Sequence, residues 1–354
     1  MKLHEAAVKL LKNNLALKKG EKVAVVSDMS ETAMCTLRAL AQDKQAVSEH
    51  TQEPPAQRVE VLSTRHPLQR AVLDRKRCDV FDAVCKAAEM LGGKVEKIKI
   101  TNKRMHGQPL PHLKKKFCES DVIIGITDKS ISHCPELKLA RTKGARAVTM
   151  PGVKRELFLK AMKANQMKIK KLGIRLRNRL KCRKIKITSP SGTNLEINAI
   201  KNIDIDDGDS TKKGTLNNVP FGEVCMIPIS IANGILAIDF SRMDVNPKDK
   251  VKLTLKNGMI ISYNNKKAKK FADALYKIDG KKAQKVVELG LGINPEHKTL
   301  IGSIIHDEKI YGSAHIAFGG YGTIRKCKLH EDVILLKPTV WADKKVIVKN
   351  GKIL

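Results

Sequence analysis

The apolar positions in the first half of the chain alternate between helical spacing and short buried runs. Residues 2–17 carry apolar side chains at the three- and four-residue spacing of a helix, and the apolar run Lys22–Ser27 then has the length of a buried strand. The same order recurs along the chain, with helices at 80–91 and 135–143 and strands at 95–100, 122–126 and 145–150. This alternation predicts an α/β domain over residues 1–175, built on a parallel sheet of flavodoxin-like character.

Residues 29–75 interrupt this alternation. They contain one Lys and five Arg, whereas the rest of the chain strongly prefers Lys, and the pair Pro54-Pro55 lies within them. Their hydrophobic periodicity is weak. We therefore predict an insertion between the first strand and its helix, with the structure of a loosely packed helical excursion or a disordered loop. A functional lid is the alternative.

The second half of the chain changes to period-two alternation, with turn residues between the runs. Strand pairs are predicted at 184–188 with 195–200, at 251–261 around Asn257-Gly258, and at 346–353. A basic stretch at 156–179 precedes them and is expected to form one long helix. These patterns predict a domain boundary near residue 175 and an α+β, strand-rich second domain over residues 176–354.

The charge of the chain is strongly positive, since 68 basic residues stand against 36 acidic ones and the net charge is +32. Nucleic-acid binding through phosphate neutralisation is one interpretation. However, aromatic residues make up only 3% of the chain, which leaves few rings for stacking on bases, and the lysines are spread along most of its length. We favour a general preference for lysine on solvated surfaces and expect non-specific polyanion binding at low salt.

The cysteines and the apolar runs bear on the cell compartment. Eight cysteines occur without a C-x-x-C pair, which predicts reduced thiols and argues against a thiolate zinc site. No apolar run approaches the length of a membrane span, and the N-terminal segment is interrupted by lysines and lacks a small-residue cleavage site. We therefore expect a cytoplasmic protein.

Carboxylates and imidazoles stand on short apolar or Gly-rich segments of the second half. The candidates that share this setting are Glu223, Glu288, His315, His330 and Asp332. Asp, Glu and His are the ligands of hard-to-borderline divalent metal ions, and five ligands exceed what one tetrahedral ion needs. The sequence therefore predicts a metal site, with one ion or two, and so a metalloenzyme.

His330 and Asp332 are the sharpest pair among these candidates. Residues i and i+2 of a strand point to the same face, so both can bind one ion while Glu331 faces away. The other histidines are not predicted to bind metal. We expect a structural role for His133, a place in a turn for His297 and a place in a hairpin for His306.

In order and context, these segments resemble the thermophilic-type metallo-aminopeptidases, of the aminopeptidase T and aminopeptidase S kind. The similarity runs over most of the chain outside residues 29–75. It rests on Ser132-His133, Ala140-Arg141, Gly144-Ala-Arg-Ala-Val-Thr-Met-Pro-Gly152, Gly192-Thr-Asn-Leu195, Asn218-Val-Pro-Phe-Gly-Glu223, Glu288-Leu-Gly-Leu-Gly-Ile-Asn-Pro295, Asp307-Glu-Lys-Ile-Tyr-Gly312, His315-Ile-Ala-Phe-Gly319, His330-Glu-Asp332 and Lys337-Pro-Thr339. Together these segments are specific for the wider superfamily and less specific for the reaction.

The resemblance implies a hydrolase that releases N-terminal residues from small peptides. It implies two divalent ions, zinc, cobalt or manganese, that share and activate a water and are bound by Glu223, Glu288, His315, His330 and Asp332. It also implies a homodimer that encloses the site. In this family a tyrosine beyond the first histidine belongs to the site. Tyr321 is the candidate here, one residue closer than usual, and the loop from His315 to His330 is short.

Two other functions stay open. The same superfamily includes dihydroxypyridine ring-cleaving dioxygenases, in which one iron is held by two histidines and one carboxylate, and His330 and Asp332 fit either reaction. The retained Glu223 and Glu288 favour the two-metal hydrolase, since a single iron needs fewer carboxylates. The third possibility is a basic nucleic-acid-binding protein on an inactive enzyme scaffold, against which the intact ligand set argues.

Overall fold

The computed structural model of the protein describes residues 1–28, 67–103, 107–198, 202–227, 231–321 and 325–354, without the side chains of 67–76, 321 and 325. These residues form two compact units, of which the first combines Met1–Met162 with Ser210–Val219 and the second combines Lys163–Asp209 with Pro220–Leu354. Each unit therefore contains two separate stretches of the chain. The expected boundary near residue 175 falls inside a helix of the second unit, Gln166–Arg179.

The first unit contains the predicted parallel sheet. With strands numbered in chain order, its described strands are β1 (Lys22–Ser27), β2 (Lys94–Lys99), β3 (Val122–Ile126), β4 (Arg146–Thr149) and β8 (Leu216–Asn218). The strand order is β2-β1-β3-β4-β8, and all neighbours are parallel. Strand β3 is buried along its whole length, as expected of a parallel strand covered on both faces. Strand β8 was not predicted, because it is short and polar and comes from the second half of the chain.

The helices of the first unit bury apolar side chains. They are α1 (Leu3–Lys9), which continues as a π-helical turn over Leu10–Asn14, α2 (Pro67–Met90), α3 (Lys114–Cys118), α4 (Pro135–Thr142) and α5 (Arg155–Lys163). Helix α4 begins at a proline, whose fixed φ suits the first helical position, and it buries Leu137 and Ala140 in the core with Ile123 of β3. None of the helices described is long and apolar enough to cross a membrane.

Two predictions about helices need correction or limitation. Residues 67–75, which the sequence assigns to the insertion, form the start of α2, while residues 29–66 lie outside the described residues. The basic stretch 156–179 is not one helix but two, α5 and α6 (Gln166–Arg179). The break occurs because the Asn165 side chain accepts a hydrogen bond from the backbone nitrogen of Lys168 at 3.0 Å, which caps a new helix.

The second unit contains two antiparallel sheets, and the strand-rich prediction is confirmed. The larger sheet has the order β12-β11-β10-β6-β5-β16-β17-β18. Its strands are β5 (Lys184–Thr188), β6 (Asn194–Asn198), β10 (Ala232–Ile238), β11 (Val251–Lys256), β12 (Met259–Tyr263), β16 (Thr339–Ala342), β17 (Lys345–Lys349) and β18 (Lys352–Ile353). The predicted hairpins correspond to the pairs β5–β6, β11–β12 and β17–β18.

The smaller sheet of the second unit has one apolar and one polar face. Its order is β15-β14-β13-β9-β7, from β7 (Ile203–Asp206), β9 (Glu223–Met226), β13 (Val286–Gly292), β14 (Ala314–Tyr321) and β15 (Arg325–Leu335). Leu289, Ile316 and Val333 lie opposite one another on the apolar face. Phe318 lies on that face too and contacts Phe271 of helix α7 (Lys266–Asp279), with ring centroids 6.0 Å apart. The polar face carries the candidate chemistry.

Candidate metal centre

All the predicted metal ligands lie on the polar face of the smaller sheet. Side chains of directly paired residues project to the same side of an antiparallel sheet. The pairing places Glu288 and Asp332 on either side of Ala317, Gly290 opposite His315, His330 opposite Gly319 and Glu223 opposite Gly292. Small residues therefore alternate with ligands across the strands, which leaves room above the sheet for the functional side chains.

Glu288, His330 and Asp332 form a group that we call the metal cluster. Each offers a ligand atom, and these atoms all lie within 4.8 Å of one another. The Nε2 atom of His330 is 3.4 Å from an oxygen of Glu288 and 3.4 Å from an oxygen of Asp332. The Nδ1 atom of His330 is 2.7 Å from the carbonyl of Gly320, to which it can only donate. Nε2 is thus the atom that remains to bind an ion.

His315 lies on the other side of Glu288. Its Nε2 atom is 3.7 Å from Oε1 of Glu288, whereas His330 faces Oε2 of the same carboxylate. The chain makes space for this imidazole at Gly290, where an added Cβ would lie 2.0 Å from Cε1 and 2.1 Å from Nε2 of His315. Glu288 therefore stands between two imidazoles, and the glycine two residues later is required for one of them.

Glu223 is set in place by the residue before it. Gly222 has a φ of +116°, donates its backbone N–H to the carbonyl of Asp206 at 2.8 Å, and approaches Asn294 so closely that a Cβ would lie 2.7 Å from the Asn294 Cβ. Only glycine fits this conformation and this contact without a shift. Glu223 is the first residue of β9, and the Oε2 atom of its carboxylate lies 3.4 Å from Nε2 of His315.

A buried lysine contacts Glu223 from the side opposite His315. Nζ of Lys309 is 2.5 Å from Oε1 of Glu223, 2.8 Å from Oε1 of Glu308 and 3.4 Å from Oδ2 of Asp206, and its side chain is fully buried. We call Lys309, Asp206, Glu223 and Glu308 the lysine cluster. The sequence reasoning missed Lys309 because lysine is common everywhere in this chain. A usable signal was the run Asp307 to Lys309, which places three charges between apolar segments.

The imidazoles of the site favour their protonated forms in the metal-free protein. Burial lowers the pKa of His315, but the nearby carboxylates of Glu288 and Glu223 outweigh this and raise the pKa to about 9. Burial likewise opposes the charged form of His330, and the carboxylate of Asp332 raises its pKa to about 10. The pKa of Asp332 is in turn held well below its usual range, because the attraction of His330 outweighs the effect of burial.

The lysine cluster has its own balance of charges. Burial raises the pKa of Glu223 to about 8, although the ammonium of Lys309 opposes this rise. Burial disfavours the charged form of Lys309, but Glu223, Glu308 and Asp206 outweigh it and raise the pKa of Lys309 well above its usual value. Lys309 therefore stays positively charged throughout the physiological range.

The residues present fit a divalent ion. Oε2 of Glu223 and Nδ1 of His315 are buried and have no hydrogen-bond partner among the residues described, as expected near a group that supplies further contacts. Imidazole nitrogens and carboxylate oxygens suit iron, zinc or manganese. Cys225 faces the same side of the sheet, but burial, with the charges of Glu288 and Glu223, raises the pKa of its thiol well above its usual value. The donors of the metal cluster itself are oxygen and nitrogen.

The structure does not bring the other predicted residues into this site. His306 belongs to a short helix, α8 (Ile304–Asp307), and not to a hairpin, because Asp307 accepts backbone N–H groups from Ile301 and Gly302 at 3.0 Å and closes a helical turn. His297 and His306 are buried with ring centroids 3.9 Å apart. Tyr321 is the last residue of β14, but its side chain lies outside the described part of the chain, so its catalytic role stays a prediction.

Comparison with known families bears on the two enzyme classes expected from the sequence. Residues 69–354 match the family model of 2,5-dihydroxypyridine 5,6-dioxygenase, named NicX. The chain belongs to this family. The family places the protein among enzymes, and the expected aminopeptidase family is not confirmed. The match supports the dioxygenase alternative better than the hydrolase that was favoured from the sequence. No curated protein matches the chain.

Solved structures share the fold at low sequence identity. The structure of 2,5-dihydroxypyridine dioxygenase from Pseudomonas putida KT2440 aligns with a TM-score of 0.73 at 15% identity, over 99% of this chain and 96% of that one. AmpT from Thermus thermophilus aligns with a TM-score of 0.60 at 13% identity, over 99% of this chain and 98% of that one. At such identities the likeness concerns the fold alone.

Proposed function

We propose that this protein is an iron-dependent dioxygenase that opens a dihydroxylated pyridine ring and binds one ion per chain. The observation that supports this most is the compact group of ligands in the metal cluster, in a chain that belongs to the dihydroxypyridine dioxygenase family. With His315 beside Glu288, the site offers two imidazoles and a choice of carboxylates. Two histidines and one carboxylate are the ligand set of non-haem Fe(II) oxygenases.

The residues that would hold the ion are His330 and Asp332 on β15, Glu288 on β13 and His315 on β14. A bound Fe(II) would supply the redox chemistry through which molecular oxygen reacts with an electron-rich ring. The hydrogen bond from His330 Nδ1 to the Gly320 carbonyl keeps Nε2 directed into the cluster. Such supporting contacts fix the orientation of a ligand before the ion arrives.

The chain also offers a group that can exchange a proton with a hydroxylated substrate. Oε2 of Glu223 has no hydrogen-bond partner among the described residues, and burial raises the pKa of this carboxyl to about 8. A group with a pKa near the working pH is well suited to general acid–base catalysis. We assign to Glu223 the exchange of a proton with a ring hydroxyl through Oε2, while Oε1 remains in contact with the ammonium of Lys309.

Oxygen uptake with 2,5-dihydroxypyridine tests this proposal. The protein is freed of metal, loaded anaerobically with Fe²⁺ and mixed with the ring compound in air-saturated buffer. We expect oxygen to be consumed in equal amount to the loss of the ring's ultraviolet absorbance, and no turnover from protein loaded with Zn²⁺. Absence of both signals from a folded, Fe²⁺-loaded protein would refute the assignment.

A two-metal aminopeptidase is the second candidate, and one specific observation favours it. Glu223 and His315 lie 3.4 Å apart on the same sheet face, with Glu288 between them and the metal cluster, so a second group of donors exists. The fold likeness to AmpT is consistent with this candidate but shows only the fold. The metal content separates the two functions. Two zinc-like ions per chain and hydrolysis of aminoacyl amides would support the peptidase, whereas one iron supports the dioxygenase.

A further inference from the structure

The fully buried side chain of Lys309 stands out because an ammonium group loses much of its hydration when it is removed from water. Three carboxylates surround it, from Glu223, Glu308 and Asp206, at 2.5, 2.8 and 3.4 Å. An ammonium carries three N–H donors, and these carboxylates offer an acceptor for each of them. The partners here come from three separate segments, two of which are the sheet strands β7 and β9.

The two oxygens of Glu223 face different partners. Oε1 contacts Nζ of Lys309 at 2.5 Å, while Oε2 lies 3.4 Å from Nε2 of His315. Because a carboxylate is planar and rigid, fixing one oxygen also fixes the direction of the other. Lys309 therefore determines where Oε2 of Glu223 lies relative to the imidazole of His315, which also faces Glu288 at 3.7 Å.

The backbone of Lys309 is itself held firmly. Its carbonyl accepts a hydrogen bond from the backbone nitrogen of Asn294 at 3.1 Å, and its own nitrogen donates to the carbonyl of His306 at 3.0 Å. A Cβ on Gly292 of β13 would lie 2.8 Å from the Lys309 carbonyl carbon, so the segment packs directly on the sheet that carries the site. The ammonium therefore projects from a fixed point and not from a mobile loop.

We propose that Lys309 is a positioning residue: its ammonium fixes the Glu223 carboxylate through Oε1, and thereby holds Oε2 of Glu223 beside Nε2 of His315 and the bound ion. The lysine acts on the site only through Glu223 and does not itself bind the ion. The proposal rests on the proposed function to the extent that the site holds a metal, but it does not depend on which metal or on which reaction.

Cobalt binding to the metal-free protein tests this role without relying on activity. Co²⁺ reports its ligand geometry through its visible absorption. We expect Lys309→Met to weaken Co²⁺ binding by about tenfold to hundredfold, the range for residues that support a metal ligand, and to change the visible spectrum. Lys309→Arg, which keeps the charge, should recover part of the affinity. The matched control is Lys267→Met, which removes a lysine of helix α7 that pairs with Asp244. This variant should bind Co²⁺ as the native chain does.

A double-mutant cycle separates positioning from a purely structural contribution. If Lys309 acts through Glu223, then Lys309→Met should have no further effect on the Co²⁺ spectrum or affinity in a Glu223→Gln background. This comparison takes the Glu223→Gln protein as its reference, so it stays valid if Lys309→Met alone fails to fold. Additive effects on the spectrum would overturn the proposal, because Lys309 would then act independently of Glu223.

Two outcomes distinguish failure of this inference from failure of the proposed function. A Lys309→Met protein with native Co²⁺ affinity and spectrum overturns the role of Lys309 and leaves the dioxygenase proposal intact. A native, Fe²⁺-loaded protein that consumes no oxygen with 2,5-dihydroxypyridine refutes the dioxygenase proposal and leaves the cobalt result to decide on Lys309.

Discussion

The metal cluster and the lysine cluster are two buried groups of carboxylates on the same sheet face, and they differ in the cation that balances them. In the metal cluster, Glu288 and Asp332 face imidazole nitrogens at 3.4 to 3.7 Å. In the lysine cluster, Glu223 faces an ammonium at 2.5 Å. Similar carboxylates thus stand beside a base that can release its proton in one cluster, and beside a permanent cation in the other.

This difference indicates where an ion can enter. An imidazole that gives up its proton becomes a metal ligand, so the metal cluster can exchange protons for an ion. An ammonium cannot ligate, and the pKa of Lys309 is raised by its three carboxylates despite the opposing effect of burial. The lysine cluster therefore serves as a fixed support, and His315 is the residue that connects it to the exchangeable group.

Removal of a ligand from the metal cluster is the strongest way to break this comparison. Asp332→Ala takes away a carboxylate 3.4 Å from His330 Nε2. We expect a loss of Fe²⁺ affinity greater than the tenfold to hundredfold loss typical of supporting residues, and ring opening at background level. Metal analysis after gel filtration and the oxygen electrode measure the two effects. Retention of one iron per chain by this variant would place the ion elsewhere.

The pH dependence of ion binding sharpens the difference between the clusters. With pKa values of about 9 for His315 and about 10 for His330, both side chains are positively charged imidazolium groups at pH 7 in the metal-free protein. Ion binding should then release about two protons at pH 7 if both are ligands. The affinity should rise roughly tenfold per pH unit for each proton displaced. Calorimetry in buffers of different ionisation enthalpy counts the protons, and a count of zero would contradict the assignment.

The same pKa values set the sign of the stability change in the metal-free protein. The folded pKa values of both imidazoles lie above their ordinary value of 6.5, so their stabilising contribution is complete below about pH 6.5 and is lost as the pH rises through 9 to 10. We expect the Tm of the metal-free protein to fall between pH 7 and 10. The Tm of the Fe²⁺-loaded protein should fall less under anaerobic conditions, because an imidazole bound to the ion through one nitrogen stays neutral throughout this pH range.

A small change at Gly290 tests the space made for His315. Gly290→Ala would place a methyl group about 2 Å from two ring atoms of His315. We expect the ring to move, with a cost of about 1–3 kcal/mol in stability and a loss of Fe²⁺ affinity of about tenfold or more. Gly20→Ala, with no atom within 4 Å of the added methyl, is the control. It should lower the Tm through its positive φ alone and leave iron binding unchanged.

The smallest effect on ion binding is expected from a substitution that acts on the apolar face of β15. Glu331 lies between His330 and Asp332 but accepts hydrogen bonds from Arg242 at 3.0 Å and from Ser241 at 2.8 Å. Arg242→Met should cost about 1–3 kcal/mol in stability, because it leaves a buried carboxylate short of a partner. Fe²⁺ affinity should stay within a factor of about two. Denaturant unfolding and metal titration provide both values, and a large drop in affinity would show that the two faces are coupled.

The sequence specified the ligands better than their support. The alternation of a strand predicts that His330 and Asp332 share a face while Glu331 points away, and the pairing of β15 with β14 shows this arrangement. Lys309 could not be recognised in the same way, because its role depends on carboxylates from two other strands. Such long-range pairing leaves no local periodicity, and a chain with a net charge of +32 offers no contrast for one more lysine.

The fold followed a similar division. Buried runs such as Val122–Ile126 were sufficient to predict the parallel sheet, since a strand covered on both faces is apolar throughout. Leu216–Asn218 was missed because its three residues pair with a strand about seventy positions earlier. The prediction of one long basic helix was wrong at Asn165, where the side chain of this residue caps the start of a second helix. Local pattern therefore predicted elements, whereas caps and distant pairings were resolved only by the folded chain.

Labelled oxygen provides the most direct test of the central claim. Fe²⁺-loaded protein is mixed with 2,5-dihydroxypyridine under ¹⁸O₂, and the ring-opened product is analysed by mass spectrometry. A dioxygenase inserts both atoms of one oxygen molecule, so we predict a product that carries two labelled atoms and no such product from the Asp332→Ala variant. Recovery of unchanged 2,5-dihydroxypyridine, together with release of amino acids from aminoacyl amides by the Zn²⁺-loaded native protein, would contradict the account and favour the aminopeptidase.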